Sequence, residues 1–283
     1  MATFYNQATL SYNGIFRTSN VVVGEVVGTL TVTKTAVGDT YTSGGNVTYV
    51  ISMVNSGTTP FTALTVSDDL GAYQVGETTV YPLEYVDGSV LYYLNGAIQP
   101  SPSVTTANGI EITGITIPAG ANATIVYNTT VTDFAPLSEG ATIVNTASVT
   151  GDGITPVTAT ETITAEGGAI LSINKAISPS TVSENGRITY TFVISNTGNA
   201  EATAADNVII TDTFDPILTG ITVTIDGVTV TSPTAYTYDE VTGEFATVAG
   251  AITVPAATYT QDQTTGIWTT VPGTTTVTVT GTV

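Results

Sequence analysis

The sequence predicts an all-β protein: two tandem immunoglobulin-like (Greek-key) β-sandwiches preceded by one separate N-terminal strand. Three observations lead there. Apolar residues, 42% of the chain, are mostly Val, Ile and Ala in short alternating runs among threonines, the vocabulary of strands. No window carries a sustained helical period or the long apolar run of a membrane span. A long segment also recurs at an offset of 141 residues, which points to internal duplication.

The first stretch, 1–14 (MATFYNQATLSYNG), alternates Phe4, Asn6, Ala8 and Leu10 on one face with Tyr5, Gln7, Thr9 and Ser11 on the other. It is matched at an offset of 139 by 141–153 (ATIVNTASVTGDG), where Ile143, Asn145, Ala147 and Val149 share a face in the same order. The N-terminal stretch therefore reads as the last strand of a domain placed at the opposite end of the chain. Residues 15–28 (IFRTSNVVVGEVVG) read as a connector.

The first sandwich is assigned to 29–166 and the second to 167–283. LTVTK from Leu30 answers LSINK from Leu171, and Lys34, Tyr49, Asn55 and Gly57 meet Lys175, Tyr190, Asn196 and Gly198. LTVSDDL answers VIITDTF, which sets Asp68 opposite Asp212, and hairpin turns are expected at Asn95-Gly96 and Asp226-Gly227. Near its end the second repeat inserts a loop carrying Tyr259, Asp262 and Trp268. GANATIVYNTTV answers GTTTVTVTGTV, after which the first repeat continues into Ala141–Thr150 while the second reaches Val283 with no counterpart. The expectation is a second sandwich with an open edge, a liability that invites another chain, and an N-terminal strand of the kind that would close it.

Composition narrows the chemistry. With 4 basic and 23 acidic residues the net charge is −19, which repels nucleic acid and anionic membranes. The absence of Cys and His removes disulfides, thiolate chemistry, the usual zinc sites and imidazole catalysis. No cofactor and no metal site are expected. Asp68, Asp69, Glu84, Asp87, Asp206, Asp212 and Asp215 offer calcium as a secondary reading, without EF-hand spacing. The N-terminus lacks the pattern of a secretory signal, which leaves processing or another export route.

The two lysines occupy the same repeat position, on the apolar side of their strands with Leu30 and Val32 or Leu171 and Ile173. Asp68 and Asp212 alternate inward likewise, whereas Glu111 and Glu244 alternate outward and rank below them as acids. A buried lysine tends to lose its proton and a buried carboxyl to keep one. A neighbouring carboxamide then permits attack by the amine on the amide carbonyl, with the acid relaying protons and ammonia leaving. On this reading Lys34 and Asn145 form an internal isopeptide bond assisted by Asp68. Lys175 joins Asn6 of another subunit, assisted by Asp212. The competing reading is a buried Lys–Asp ion pair beside an asparagine that caps backbone groups.

The segments LTVTK, GGNVTYVISMVNSG, LTVSDDL and IVNTASVTG, repeated in part as LSINK, GRITYTFVISNTG and IITDTF, resemble the DUF11-type repeat and the related isopeptide-forming domains of Gram-positive fimbrial and surface proteins. The resemblance spans nearly all of both repeats. It implies the opening-strand lysine and the asparagine of the closing NTA element as bond partners, here Lys34 and Asn145. Fimbrial domains of this kind often use a glutamate as the assisting acid, where this chain offers aspartates. No closing NTA element follows Val283, and there is no LPxTG-like sorting motif.

The expected function is a structural subunit of an extracellular filament. It would polymerise head to tail as Phe4, Ala8 and Leu10 anchor the donated strand in the second sandwich of a neighbour. Its partners are copies of itself, with a distinct tip or anchor protein as a further candidate, and its place is the cell surface or a spore-surface appendage. It is not expected to be an enzyme beyond single-turnover self-crosslinking. The alternative is a surface adhesin whose Tyr259–Trp268 insertion binds a ligand.

Overall fold

The computed structural model describes residues 2–26, 29–152 and 154–283. Met1 of the expected donor strand, Val27 and Gly28 of the expected connector, and Gly153 at the end of the 141–153 copy lie outside the described residues. The described residues are β throughout except for one 3-10 turn at Ala204–Asp206. They fall into two compact units, one formed by 1–136, 142–164 and 263–267, the other by 137–141, 165–262 and 268–283.

The N-terminal stretch departs from the expected single strand and connector. It holds β1 (Ala2–Asn6), β2 (Thr9–Tyr12), β3 (Ile15–Thr18) and β4 (Val22–Val26). β1 pairs antiparallel with β4, and β2 with β3. Residues 2–26 are thus one interrupted hairpin. The reason is local: Asn13 and Gly14 adopt φ of 47° and 77°, the left-handed pair of a two-residue hairpin turn.

The first unit continues with β5 (Leu30–Ala36), β6 (Thr40–Tyr41), β7 (Asn46–Asn55), β8 (Phe61–Asp68), β9 (Tyr73–Val75), β10 (Thr78–Val80), β11 (Leu83–Tyr85), β12 (Leu91–Leu94), β13 (Ala97–Ile98), β14 (Ser103–Thr105), β15 (Ile110–Ile117), β16 (Asn122–Val131), β17 (Thr142–Thr150) and β18 (Val157–Ala165). One sheet runs β13-β12-β16-β7-β5, and the other β14-β15-β8-β17-β18-β6. Alternation along β7, β8, β15, β16 and β17 sends Ile51, Met53, Leu64, Val66, Ile112, Ile125, Ala147 and Val149 into a closed core.

The second unit holds β19 (Leu171–Ser178), β20 (Arg187–Asn196), β21 (Thr211–Thr213), β22 (Thr219–Ile225), β23 (Val228–Val230), β24 (Tyr236–Tyr238), β25 (Glu244–Thr247), β26 (Thr258–Gln261), β27 (Trp268–Val271) and β28 (Gly273–Thr282). Its larger sheet, β19-β20-β28-β22-β23, repeats β5-β7-β16-β12-β13 strand for strand. The register repeats as well: Lys34 faces Ile51 and Lys175 faces Phe192, both shifted by 141. Asn95-Gly96 and Asp226-Gly227 both form positive-φ hairpin turns, as the sequence predicts. The smaller sheet is β21-β25-β24, prolonged by the bridges Ala202↔Val254 and Val208↔Ile252. Where β8 lies between β15 and β17, β21 pairs with β25 on one side only among the described residues.

Candidate functional site

In the first unit, alternation in β5 turns Lys34 inward with Leu30 and Val32, and β8 ends on Asp68 facing it. Lys34 Nζ lies 2.5 Å from Asp68 Oδ2, and neither side chain reaches solvent. The Tyr127 hydroxyl donates to the same oxygen at 2.6 Å, and the Leu70 amide donates to Oδ1 at 3.0 Å. Lys34 Nζ also sits 4.8 Å from the centre of the Tyr49 ring, which stacks on Tyr127.

β17 carries Asn145 into this cluster. Its neighbour Ala147 is opposite Asp68 across the β8–β17 ladder, and β17 packs against β5. Asn145 is fully buried, and neither atom of its carboxamide has a hydrogen-bond partner of ordinary geometry. The amide nonetheless lies near enough to the Tyr49 and Tyr127 hydroxyls to favour their ionised forms. An unsatisfied buried amide costs about 1–3 kcal/mol, and here both of its polar atoms are left so, beside a Tyr49 hydroxyl that also has no partner.

Burial holds the Lys34 amine below its ordinary pKa, against the pull of Asp68, Asp69 and Glu161 toward the charged form. Burial also raises Tyr127 well above its ordinary value, reinforced by Asp68, and raises Tyr49. The arrangement is a desolvated amine hydrogen-bonded to a carboxylate, beside an amide that nothing else holds. Passing the Lys34 proton to Asp68 yields the neutral amine that acylation requires.

The second unit repeats half of this. Lys175 and Asp212 are ion-paired, and Lys175 Nζ lies 4.6 Å from the Tyr190 ring centre and 5.6 Å from those of Phe192 and Phe214. Burial differs: the Lys175 side chain is 42% exposed and that of Asp212 17%. The sequence places both inward, and both face inward, but the face is uncovered. Nothing among the described residues takes the place of β17, and Val279, opposite Tyr190, stands where the first unit has Tyr127 opposite Tyr49.

The remaining residues singled out in the sequence lie in the N-terminal hairpin. Phe4 is in β1, Leu10 in β2, Ala8 between them, and Asn6 ends β1 opposite Val22; all four are exposed. The Tyr259–Trp268 insertion folds as the β26–β27 hairpin, with the Tyr259 hydroxyl donating to the Thr197 carbonyl. Among the described residues no three acidic side chains gather as a cation cage. Sequence reasoning missed Tyr127 and Tyr49. Alternation in IVYNTT sets Tyr127 on one face with Ile125, but its counterpart in the second repeat is a valine, so the repeat carries no hint of a role.

No protein-family model matches the chain, so the DUF11-type likeness stays one of motifs, and no curated protein matches either. Among solved structures the chain is similar to the major pilin subunit BcpA of Bacillus cereus, at 13% identity over 96% of this chain and 73% of that one, with a TM-score of 0.37. It is similar to the C-terminal domain of the Streptococcus pyogenes antigen I/II-family protein AspA at 10% identity, covering 89% and 91%, with a TM-score of 0.36. The pilus backbone RrgB of Streptococcus pneumoniae gives 14% identity over 86% and 55%, also with a TM-score of 0.36.

Proposed function

We propose that this chain is a structural subunit of an extracellular, surface-borne fibre, joined head to tail as the N-terminal segment of one copy completes the second unit of the next. The observation that carries the reading is the difference between two copies of one design. In the first unit β17 covers Lys34 and Asp68 and brings Asn145 among them. In the second, Lys175 and Asp212 wait on an uncovered face beside the one-sided strand β21. The N-terminal stretch repeats the β17 pattern, with Asn6 in the place of Asn145.

The chemistry is self-modification. In the first unit the Lys34 ammonium gives a proton to Asp68, and the free amine attacks Cγ of Asn145. Asp68 hands that proton to the amide nitrogen as its C–N bond breaks, takes up the second proton of the attacking Lys34 nitrogen, and ammonia leaves behind a neutral Lys34–Asn145 amide. Lys175, Asp212 and a neighbour's Asn6 run the same sequence between subunits. Such bonds brace a protein that has no cysteine. Phe4, Ala8 and Leu10 fill the pockets that Ile143, Ala147 and Val149 fill in the first unit.

Electron microscopy of the purified full chain beside a variant lacking residues 1–14 tests the reading. Fibres from the full chain and monomers from the truncation are expected. Fibres of normal appearance from the truncated chain would refute it.

A further inference from the structure

We propose that the donated element is a whole β-hairpin, both arms of residues 2–26, taking the places of β17 and β18 beside β21 of a second copy. This rests on the strand-donation reading above and specifies what is donated. In the first unit β17 pairs with β8 on one side and, from Thr142 to Val149, with β18 on the other. A lone strand laid against β21 would leave its outer row of backbone groups unpaired, a new open edge. The hairpin brings its own outer strand.

Three details mark the two arms as one piece. Where pairing breaks at Gln7–Ala8, Ser19 bridges the gap: its amide donates to the Ala8 carbonyl at 2.9 Å, its Oγ accepts from the Ala8 amide at 3.0 Å, and its carbonyl accepts from Gln7 Nε2 at 2.8 Å. The Asn13-Gly14 turn closes the far end. Gly24 lies opposite Phe4, and a Cβ there would fall 2.3 Å from the Phe4 ring, so the second arm leaves room for the ring of the first.

The correspondence extends across the pair. Asn145 faces Glu161 in β18, and Asn6 faces Val22 in β4. Glu161 is one of the carboxylates that favour charged Lys34, and the donated hairpin presents an aliphatic residue at that place. Phe4, Leu10 and Val22 are exposed, as a hairpin awaiting a second copy requires.

Val23 sits in the middle of β4 opposite Tyr5, so Val23→Pro breaks the β1–β4 pairing through the backbone while leaving the first arm intact. If the hairpin is donated whole, fibre growth of the full-length variant, followed by light scattering, slows at least about tenfold relative to wild type, and Val23→Thr, which keeps the backbone N–H, grows clearly faster than Val23→Pro. Hydrogen exchange on wild-type fibres then shows the amides of 15–26 protected together with those of 2–12, beyond their protection in the monomer. If β1 must leave β4 to be donated, Val23→Pro grows as fast as wild type or faster. That result, or monomer-like exchange of 15–26 in fibres, overturns the hairpin and leaves single-strand donation standing. A wild-type chain that never assembles overturns both.

Discussion

β5 and β19 have the same alternation, the same lysine and the same register against their neighbours, yet one is half buried and the other exposed along its whole length. Leu30 and Val32 are 8% and 9% exposed, while Leu171 and Ile173 are 40% and 54% exposed. The difference lies outside both strands, in β17, which covers β5 in the first unit. Burial, and with it the chemistry of the lysine, is conferred by a strand that follows much later in the chain. A cover supplied by another molecule would bury Lys175 as β17 buries Lys34, with Val279 in place of Tyr127.

The largest contrast is expected at the aspartates. Asp68→Ala strands the buried Lys34 ammonium, at about 3–5 kcal/mol, and blocks the crosslink besides. Asp212→Ala leaves behind a lysine that is already 42% exposed to water and costs the monomer under about 1 kcal/mol. Urea unfolding of the two variants measures both, and equal losses would break the comparison.

Next comes Asn145→Ala. Intact mass of the wild-type monomer should be lower than its sequence mass by one ammonia, and this variant should show no deficit. A link from Lys34 to Asn145 closes a loop of about 110 residues, for which loop-closure entropy gives about 4–5 kcal/mol. An undiminished wild-type mass would reduce the first site to a buried ion pair.

The pH dependence separates the same two proteins. In Asn145→Ala, Lys34 keeps its amine with a folded pKa below the ordinary 10.5. The unfolded chain then binds more protons, and stability rises as pH climbs from the folded value toward 10.5. Tyr49 and Tyr127, raised above 10.0 by burial, contribute in the opposite sense: their stabilisation is present below pH 10.0 and fades as pH rises past it. The variant should gain and then lose stability through this range. A wild type joined through Lys34 as proposed, with no amine left there to titrate, should show only the fall.

The smallest contrast tests what the units share. Asn55 Nδ2 donates to the carbonyls of Thr59, Ile117 and Pro118, and Asn196 Nδ2 to those of Ala200 and Pro255; their Oδ1 atoms accept from the Gly57 and Gly198 amides. Each alanine substitution should cost about 1–3 kcal/mol, similarly in both units.

Duplication and alternation made the strand order of the larger sheets, the inward lysines and aspartates, and the kinship of Asn6 with Asn145 legible in the sequence. Alternation tells which way a side chain points, not whether anything covers that face, so the exposure of Lys175 was not legible. The hairpin at 2–26 is only partly legible in the sequence. Asn13-Gly14 between apolar stretches is a strong hairpin turn, but the run VVV and the glycine in 15–28 hide the alternation of the second arm. Tyr127 escaped because its role depends on reaching Asp68 across the core, a contact that no periodicity encodes.

Mixing two variants that are each unable to extend a covalent chain tests the central claim most directly. Asn6→Ala keeps Lys175 as an acceptor but donates no amide, and Lys175→Ala donates Asn6 but accepts nothing. Each alone should run as a monomer after boiling in SDS. Mixed, they should give a dimer of one of each and no longer ladder, with the branch between Lys175 and Asn6 found by peptide mass. Absence of that dimer, from a mixture that still associates before boiling, would contradict a covalent bond between the second unit of one copy and the N-terminal hairpin of the next.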